Sequence, residues 1–207
     1  MFREMTVFHF ARLAGILVLA SIVGGCSAML SKSGELTTPP QRLQLGGASF
    51  LPPNETGWFV AQRSPQVLTL IKPGRLEGDT YLIEASLLTV KRLGSTAELT
   101  RFFKAAREKD ASPPRFRLKS HALSEQNIGG AQCVMSYMLA EDREPNVAQN
   151  IYTAMLLETS AVICPQPGDA GTSIVLNYSH RSYPEDQDRA LQARARSVLD
   201  TLQFAER

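Results

Sequence analysis

The segment from Ala131 to Leu139 constrains the fold of this chain more than any other. Every second residue in it is apolar: the repeating positions are Ala131, Cys133, Met135, Tyr137 and Leu139. Side chains of a β-strand point alternately to opposite faces, so this period of two predicts a strand with one buried face. Gly129-Gly130 precedes the segment and favours the tight turn of a hairpin. We therefore expect an antiparallel sheet.

Six further segments have the composition of strands. They are rich in β-branched and aromatic residues and are bounded by turn-forming residues. The stretch Val147–Leu157, which overlaps the strand candidate Asn150–Cys164, also fits a helix, because its apolar residues recur at helical spacing. The six segments are Thr56–Gln62, Gln66–Lys72, Asp79–Val90, Arg115–Gln126, Asn150–Cys164 and Thr172–His180.

Two segments predict helices. The first covers residues 95–109, where Ser95 and Glu98 have the spacing of a capping box and Pro113 and Pro114 follow the end. Its apolar face is expected to consist of Leu99, Phe102, Phe103 and Ala106. The second covers residues 184–203, with a proline and acidic residues in its first turn. Its apolar stripe is expected to be Leu191, Ala195, Val198, Leu199 and Leu202.

The order of these elements predicts an α+β fold in which two helices pack on an antiparallel β-sheet. We expect one such domain, over residues 49–207. Hydrophobic residues make up 43% of the chain and charged residues 20%, a balance typical of globular proteins. The formal charge of +2 at pH 7 lacks the basic excess that a nucleic-acid-binding face requires, so no nucleic-acid partner is expected.

The amino-terminal segment indicates export from the cytoplasm. An uncharged apolar run extends from Leu13 to Val23, after Arg3 and Arg12. As a helix it would measure about 16 Å, against a hydrocarbon core of about 30 Å. The run is therefore too short to span a membrane comfortably and matches the apolar part of a signal peptide.

The residues that end this run, Val23-Gly24-Gly25-Cys26, resemble the lipobox of bacterial lipoproteins. The resemblance implies that residues 1–25 are removed and that Cys26 carries lipid, which makes the membrane a partner through a lipid anchor. In Gram-negative lipoproteins the next residue sorts the protein, and Ser27 implies the outer membrane, facing the periplasm. Two positions depart from the commonest lipobox: Val23 stands where Leu is commoner, and Gly24 stands where Ala or Ser is commoner. An uncleaved helix and an ordinary cleaved signal are the alternatives.

Residues 26–48 are expected to join the lipid to the domain. After Cys26 they are rich in Ser, Thr, Gly, Pro and Gln, and they include Pro39-Pro40. This composition is typical of a flexible tether. A partly ordered arm is the alternative.

The domain itself resembles the PsbP/Mog1-like folds. Those folds begin with a strand that carries Gly-Trp, as in Gly57-Trp58, and end with a helix that closes on an apolar-Leu-x-Phe sequence, as in Leu202-Gln203-Phe204. The resemblance would cover residues 49–204. It implies a small non-catalytic accessory or binding protein, and it assigns no site residue.

No motif for catalysis, a metal or a cofactor is evident. Two histidines follow the signal segment, His121 and His180, and neither has a second His or Cys at ligand spacing, so no metal site and no cofactor are expected. The candidate ligand contacts are Tyr178, His180 and Arg181, because an aromatic ring, an imidazole and a guanidinium together suit an anionic or aromatic group. The alternative is that this segment only links the last strand to the last helix.

Cys133 and Cys164 are expected to form a disulfide. If lipid occupies Cys26, these two cysteines are an even pair in an oxidising compartment. Cys133 lies on the apolar face of its strand, and Cys164 ends the next long strand. Two separately buried thiols are the alternative.

These observations predict a non-enzymatic lipoprotein of the envelope that acts as a binding or accessory module. Its expected partners are the membrane and an envelope protein complex or small ligand. One alternative is an envelope hydrolase with scattered catalytic residues, in which His121 or His180 would be the base. Another is a structural protein of envelope integrity.

Overall fold

The computed structural model describes residues 34–90, 95–143 and 154–205. The segment predicted to be a signal peptide, the lipobox-like sequence with Cys26 and residues 147–153 lie outside these ranges. In chain order the elements are β1 (Leu43–Leu45), β2 (Ala48–Phe50), β3 (Phe59–Arg63), β4 (Val67–Pro73), β5 (Thr80–Thr89), α1 (Thr96–Asp110), β6 (Phe116–Ile128), β7 (Ala131–Asp142), β8 (Met155–Gln166), β9 (Asp169–Ser182), α2 (Leu191–Leu199) and β10 (Gln203–Phe204).

Seven of the strands form one antiparallel sheet in the order β3-β4-β5-β9-β8-β7-β6. A second antiparallel sheet has the order β1-β2-β10. Together with two α-helices, these sheets confirm the predicted α+β class.

The two faces of the large sheet are covered by different elements. Along β8, Val162 and Cys164 pack in a core cluster with α2 and the small sheet, while Ala161 and Ile163 pack against α1 on the opposite face. This alternation is the expected property of a strand that is buried on both sides. We refer to the two sides as the α2 face and the α1 face. The α2 face holds the larger core, which includes the buried Trp58.

The hairpin predicted at Gly129-Gly130 is present. Ile128 pairs with Ala131 at the end of β6 and β7, and the two glycines between them have φ angles of 57° and 81°. Positive φ at both turn positions suits a two-residue hairpin, and glycine adopts it without a steric penalty. A Cβ atom at Gly129 would also lie 3.0 Å from the Leu202 carbonyl oxygen. Both the positive φ and this close approach therefore favour glycine at this position.

Helix α1 begins as the capping pattern predicts. The Ser95 side chain accepts a hydrogen bond from the backbone N–H of Glu98. Leu99 and Phe103 are buried against the sheet, but the expectation that Phe102 packs there was wrong, because its side chain is 37% exposed. On a helix of 3.6 residues per turn, Leu99 and Phe103 lie nearly above one another, whereas Phe102 lies on the flank.

The second helix is shorter than the sequence predicts. Residues Pro184–Asp186 form a 3-10 helix, and α2 begins only at Leu191. The Asp188 side chain accepts a hydrogen bond from the Ala190 N–H, a local bond that competes with helix. At the other end, Gln203–Phe204 pair with β2 as β10 and leave the helix. The predicted apolar stripe of this segment is nonetheless buried.

Ordered structure begins before the boundary expected at Ser49. Strand β1 lies within the residues assigned to the tether, and Ser49 itself lies in the middle of β2. Further upstream, Glu35 forms a bridge with Phe59, and the Leu36 N–H donates to the Trp58 carbonyl oxygen at 2.8 Å. Residues 35–50 are therefore part of the described fold.

Candidate functional site

A cavity of about 470 Å³ opens at one end of the large sheet, on its α2 face. It lies between the end of β4, the β4–β5 loop, the start of β5 and the residues that connect β9 to α2. The side chains that line it include Lys72, Arg75, Asp79, Tyr81, Asp186 and Arg194. This volume lies within the range of about 300–1,000 Å³ that is usual for small-molecule sites.

Asp79 and Tyr81 line the floor of the cavity, and the buried His180 contacts both of them. His180 Nε2 lies 2.7 Å from Asp79 Oδ1, and both side chains are almost completely buried. Antiparallel pairing places Tyr81 opposite His180, and their rings stack with centroids 3.8 Å apart. Asp79 Oδ2 also accepts the Arg75 backbone N–H at 3.0 Å. Each oxygen of the buried carboxylate thus has a donor, and the histidine holds the β4–β5 loop against the sheet.

The phenol of Tyr81 remains protonated at physiological pH. Burial and the neighbouring Asp188 carboxylate raise the pKa of Tyr81 to about 12. Its hydroxyl donates to Asp188 Oδ2 at 3.4 Å, and Arg194 Nε lies 3.5 Å from the same oxygen. Asp188 therefore links the floor of the cavity to the first turn of α2.

The rim of the cavity carries charges of both signs. Lys72 Nζ lies 2.9 Å from Glu55 Oε2, a well-formed pair. Partial burial acts to raise the pKa of Glu55, but the hydrogen bonds from Lys72 and Trp58 lower it overall. Arg75 is 88% exposed and lies 3.8 Å from Asp186 Oδ1.

The structure separates the three predicted ligand contacts. Tyr178 and His180 lie on the α2 face, while Arg181 lies on the α1 face, because successive residues of β9 alternate. Arg181 Nε donates to Asp142 Oδ2 at 2.7 Å, and Asp142 also receives Arg115. His180 therefore supports the cavity lining through Asp79 and Tyr81, and Arg181 belongs to an ion-pair group on the other face.

Tyr178 is fully buried and does not line the cavity. Its ring meets Trp58 edge-on, with centroids 5.8 Å apart. Burial and the nearby Glu55 carboxylate raise the pKa of Tyr178. Its hydroxyl has no hydrogen-bond partner among the residues that the structure describes. A ligand in the cavity therefore would not touch Tyr178 directly.

His121, the other histidine, lies between a serine and a carboxylate on the α1 face. Its Nε2 is 3.0 Å from Ser136 Oγ, and its Nδ1 is 3.6 Å from Glu108 Oε1. The order serine, histidine, acid resembles that of a hydrolytic triad. Ser136, however, has no exposed surface. Substrate would reach this serine only if α1 moved aside.

A second buried polar group lies nearby on the α1 face. Arg107 Nη2 donates to Thr159 Oγ1, and its Nε is buried without a partner in the described part of the chain. Burial lowers the pKa of Arg107. Burial likewise raises the pKa of Glu84, an effect that the positive charge of Arg107 only partly offsets.

Cys133 and Cys164 lie at disulfide-bonding distance, with Cα atoms 4.4 Å apart. Val134 pairs with Ile163, and the cysteines are the next pair along β7 and β8. Both are completely buried on the α2 face. The bond joins two neighbouring central strands of the sheet.

Within residues 34–90, 95–143 and 154–205, no group of three or more His, Cys, Asp or Glu side chains is placed to hold a metal ion. No helix of these described ranges is long and apolar enough to cross a membrane. The absence of a cofactor and of catalysis stays a prediction.

The sequence pointed to His180, which contacts two residues of the cavity lining, but to none of the residues that line the cavity. Asp79 and Tyr81 lie about 100 positions earlier in the chain and meet His180 only through the pairing of β5 with β9. Pro73 and Gly74 signal the loop that forms one wall. Nothing local signals that α2 brings Arg194 to the same place.

No family model matches the chain, and no curated protein matches it. Several solved structures are similar. LpqN of Mycobacterium tuberculosis, involved in cell envelope biogenesis, has a TM-score of 0.49 and 13% identity over 80% of this chain and 90% of that one. The Ran-binding protein Mog1p of Saccharomyces cerevisiae has a TM-score of 0.45 and 11% identity over 80% and 95%. CyanoP, the PsbP of Synechocystis, has a TM-score of 0.46 and 16% identity over 88% and 98%.

Two of these similar structures, Mog1p and CyanoP, carry the names of the folds that the two sequence motifs resemble. Trp58, the aromatic residue of the first motif, is fully buried, and the second motif forms the end of the small sheet. At these identities and TM-scores, no ligand, partner or activity is carried over to this chain.

Proposed function

We propose that the protein is an envelope lipoprotein, anchored through Cys26 and facing the periplasm from the outer membrane, that acts as a non-enzymatic binding or accessory module. The observation that carries the binding role is the cavity at the end of the sheet. It has the size of a ligand site, and its rim presents exposed charged side chains beside the buried Asp79–His180 pair. The lipobox resemblance supports the anchor and the compartment.

The floor of the cavity is better suited to rigid support than to proton transfer. His180 and Asp79 are almost completely buried and hydrogen-bonded to each other. The ring of Tyr81 stacks on the imidazole, and Tyr81 itself lines the cavity. A general base must lie within hydrogen-bond reach of the proton that it removes. His180 therefore serves to fix the position of Tyr81 and of the β4–β5 loop.

The binding role can be tested with the lipidated chain in its own envelope. Three tagged proteins would be compared: wild type, Arg194→Gln and Arg189→Gln. Each would be cross-linked to its neighbours in cells and purified, and the envelope components recovered with it would be quantified. Arg194 lines the cavity, whereas Arg189 is an exposed arginine nearby that does not. A component recovered with wild type and Arg189→Gln but depleted with Arg194→Gln supports the proposal. Equal recovery with all three proteins contradicts it.

A second candidate function, an envelope hydrolase, is favoured by the alignment of Ser136, His121 and Glu108. Burial of Ser136 argues against it, because a nucleophile must contact its substrate. A fluorophosphonate probe, which labels activated serines, decides between the two. Labelling of wild type that is lost in Ser136→Ala would establish the hydrolase, and absence of labelling in native protein favours the binding module.

A further inference from the structure

Two arginines that line the cavity, Arg75 and Arg194, have longer ion-pair distances than Arg181, an arginine of strand β9. Arg75 lies 3.8 Å and Arg194 3.5 Å from the carboxylate oxygen of its ion-pair partner, and their side chains are 88% and 48% exposed. Arg181, away from the cavity, donates to Asp142 at 2.7 Å. A strong charge-assisted bond is about 2.7–2.9 Å long. The cavity arginines therefore keep guanidinium donors that can turn toward a ligand.

Carboxylates lie beside these arginines in the cavity lining. Glu185 and Asp186 come from the 3-10 helix after β9, and Glu185 is exposed. Asp79 also lines the cavity, but its two oxygens already bond His180 and the backbone of the β4–β5 loop. The lining thus offers arginines that favour an anion and carboxylates that favour a cation.

A ligand with a single charge would meet a group of its own sign here. An anion bound between the arginines would approach Asp186, and a cation bound at the carboxylates would approach Arg75, because these two side chains lie 3.8 Å apart. A like charge at such a distance is unfavourable. A ligand that carries both charges would satisfy both sets, and the Tyr81 ring would contact its carbon skeleton.

We propose that the cavity binds a small zwitterion, with its phosphate or carboxylate group between Arg75 and Arg194 and its ammonium group toward Glu185 and Asp186. This inference rests on the proposed function, since it names the ligand class of the same site. Two sources share this chemistry: a free metabolite and the headgroup of a zwitterionic lipid.

The probe for this proposal is O-phosphoethanolamine, titrated calorimetrically into the full-length chain at low ionic strength, where exposed charges are least screened. Inorganic phosphate and ethanolamine are titrated separately. We expect saturable binding of O-phosphoethanolamine that is tighter than that of either half. Loss of one arginine contact in Arg75→Gln or Arg194→Gln should weaken it by roughly tenfold or more. Arg189→Gln is the matched control and should bind as wild type does.

A carboxylate variant tests the cationic half of the ligand. Asp186→Asn should weaken binding of O-phosphoethanolamine but not of inorganic phosphate, because only the former carries an ammonium group. Circular dichroism of each variant shows whether it is folded. Co-sedimentation of the Cys26→Ala chain with phosphatidylethanolamine vesicles, compared with binding of the free probe, distinguishes a lipid source from a soluble one.

Two results would overturn the proposal. One is no saturable binding of O-phosphoethanolamine to folded wild type, either free or in vesicles. The other is inorganic phosphate binding as tightly as the zwitterion, which would define a simple anion site. If the cross-linked envelope component is still lost in Arg194→Gln under either result, the binding role stands and only the ligand class is wrong.

Discussion

The bond between Cys133 and Cys164 gives a stability prediction whose size follows from the fold. The cysteines are 31 positions apart, and they connect the adjacent strands β7 and β8. When the disulfide is broken, the unfolded chain regains the conformational entropy that the closed loop had removed. For a loop of this length, that gain stabilises the unfolded state by about 3.7 kcal/mol at 25 °C. A domain is stabilised by only about 5–15 kcal/mol, so the bond accounts for a large share.

The assay compares chemical unfolding of the oxidised and reduced forms of the Cys26→Ala chain, which lacks the third cysteine. Because both sulfurs are completely buried, reduction should require unfolding, so the reductant is added in denaturant before refolding. The reduced form should unfold with a free energy lower by about 3.7 kcal/mol, equivalent to a melting temperature lower by roughly 7–15 °C.

The double variant Cys133→Ala with Cys164→Ala is the control for residual oxidation. It should resemble the reduced form, with a further loss because two buried sulfur atoms are removed. Two free thiols in the denatured, unreduced chain would refute the bond itself. Equal unfolding midpoints of the oxidised and reduced forms would refute the entropic reasoning.

Two further predictions concern the α1 face. Phe103→Ala should lower the free energy of unfolding by roughly 3–5 kcal/mol because that ring is buried. Phe102→Ala, at a ring that is 37% exposed, should lower it by clearly less. Equal losses in denaturant unfolding would contradict this packing. Burial raises the pKa of Glu84 above its ordinary 4.5, so its contribution to stability is present below that pH and is lost as pH rises through the raised pKa. Glu84→Gln should therefore be more stable relative to wild type at pH 7 than at pH 4, and a difference independent of pH would contradict the assignment.

Local patterns predicted the elements whose signals are local. The Ser95–Glu98 capping box fixes the start of α1, and Gly129-Gly130 fixes the β6–β7 hairpin, because each bond or turn involves neighbours in the chain. Strands β1, β2 and β10 were missed because each is two or three residues long. Their pairing, such as Gln203 with Ser49, joins residues that are far apart in the sequence.

The candidate site was only partly predictable for the same reason. The segment with Tyr178 and His180 was singled out by composition, but alternation along β9 sends Arg181 to the other face. That separation was readable from the strand period alone. The partners of His180 could not be read from the sequence, because Asp79 and Tyr81 meet it only through the pairing of β5 with β9.

The central claim is that this binding module is held at the envelope by lipid on Cys26, and the intact mass of the protein purified from its native membrane tests it most directly. We expect a chain that begins at Cys26, with a mass increment equal to a diacylglycerol and an acyl chain, and no such species from Cys26→Ala. A mass equal to that of an unmodified chain, whether it begins at Met1 or elsewhere, would contradict the account.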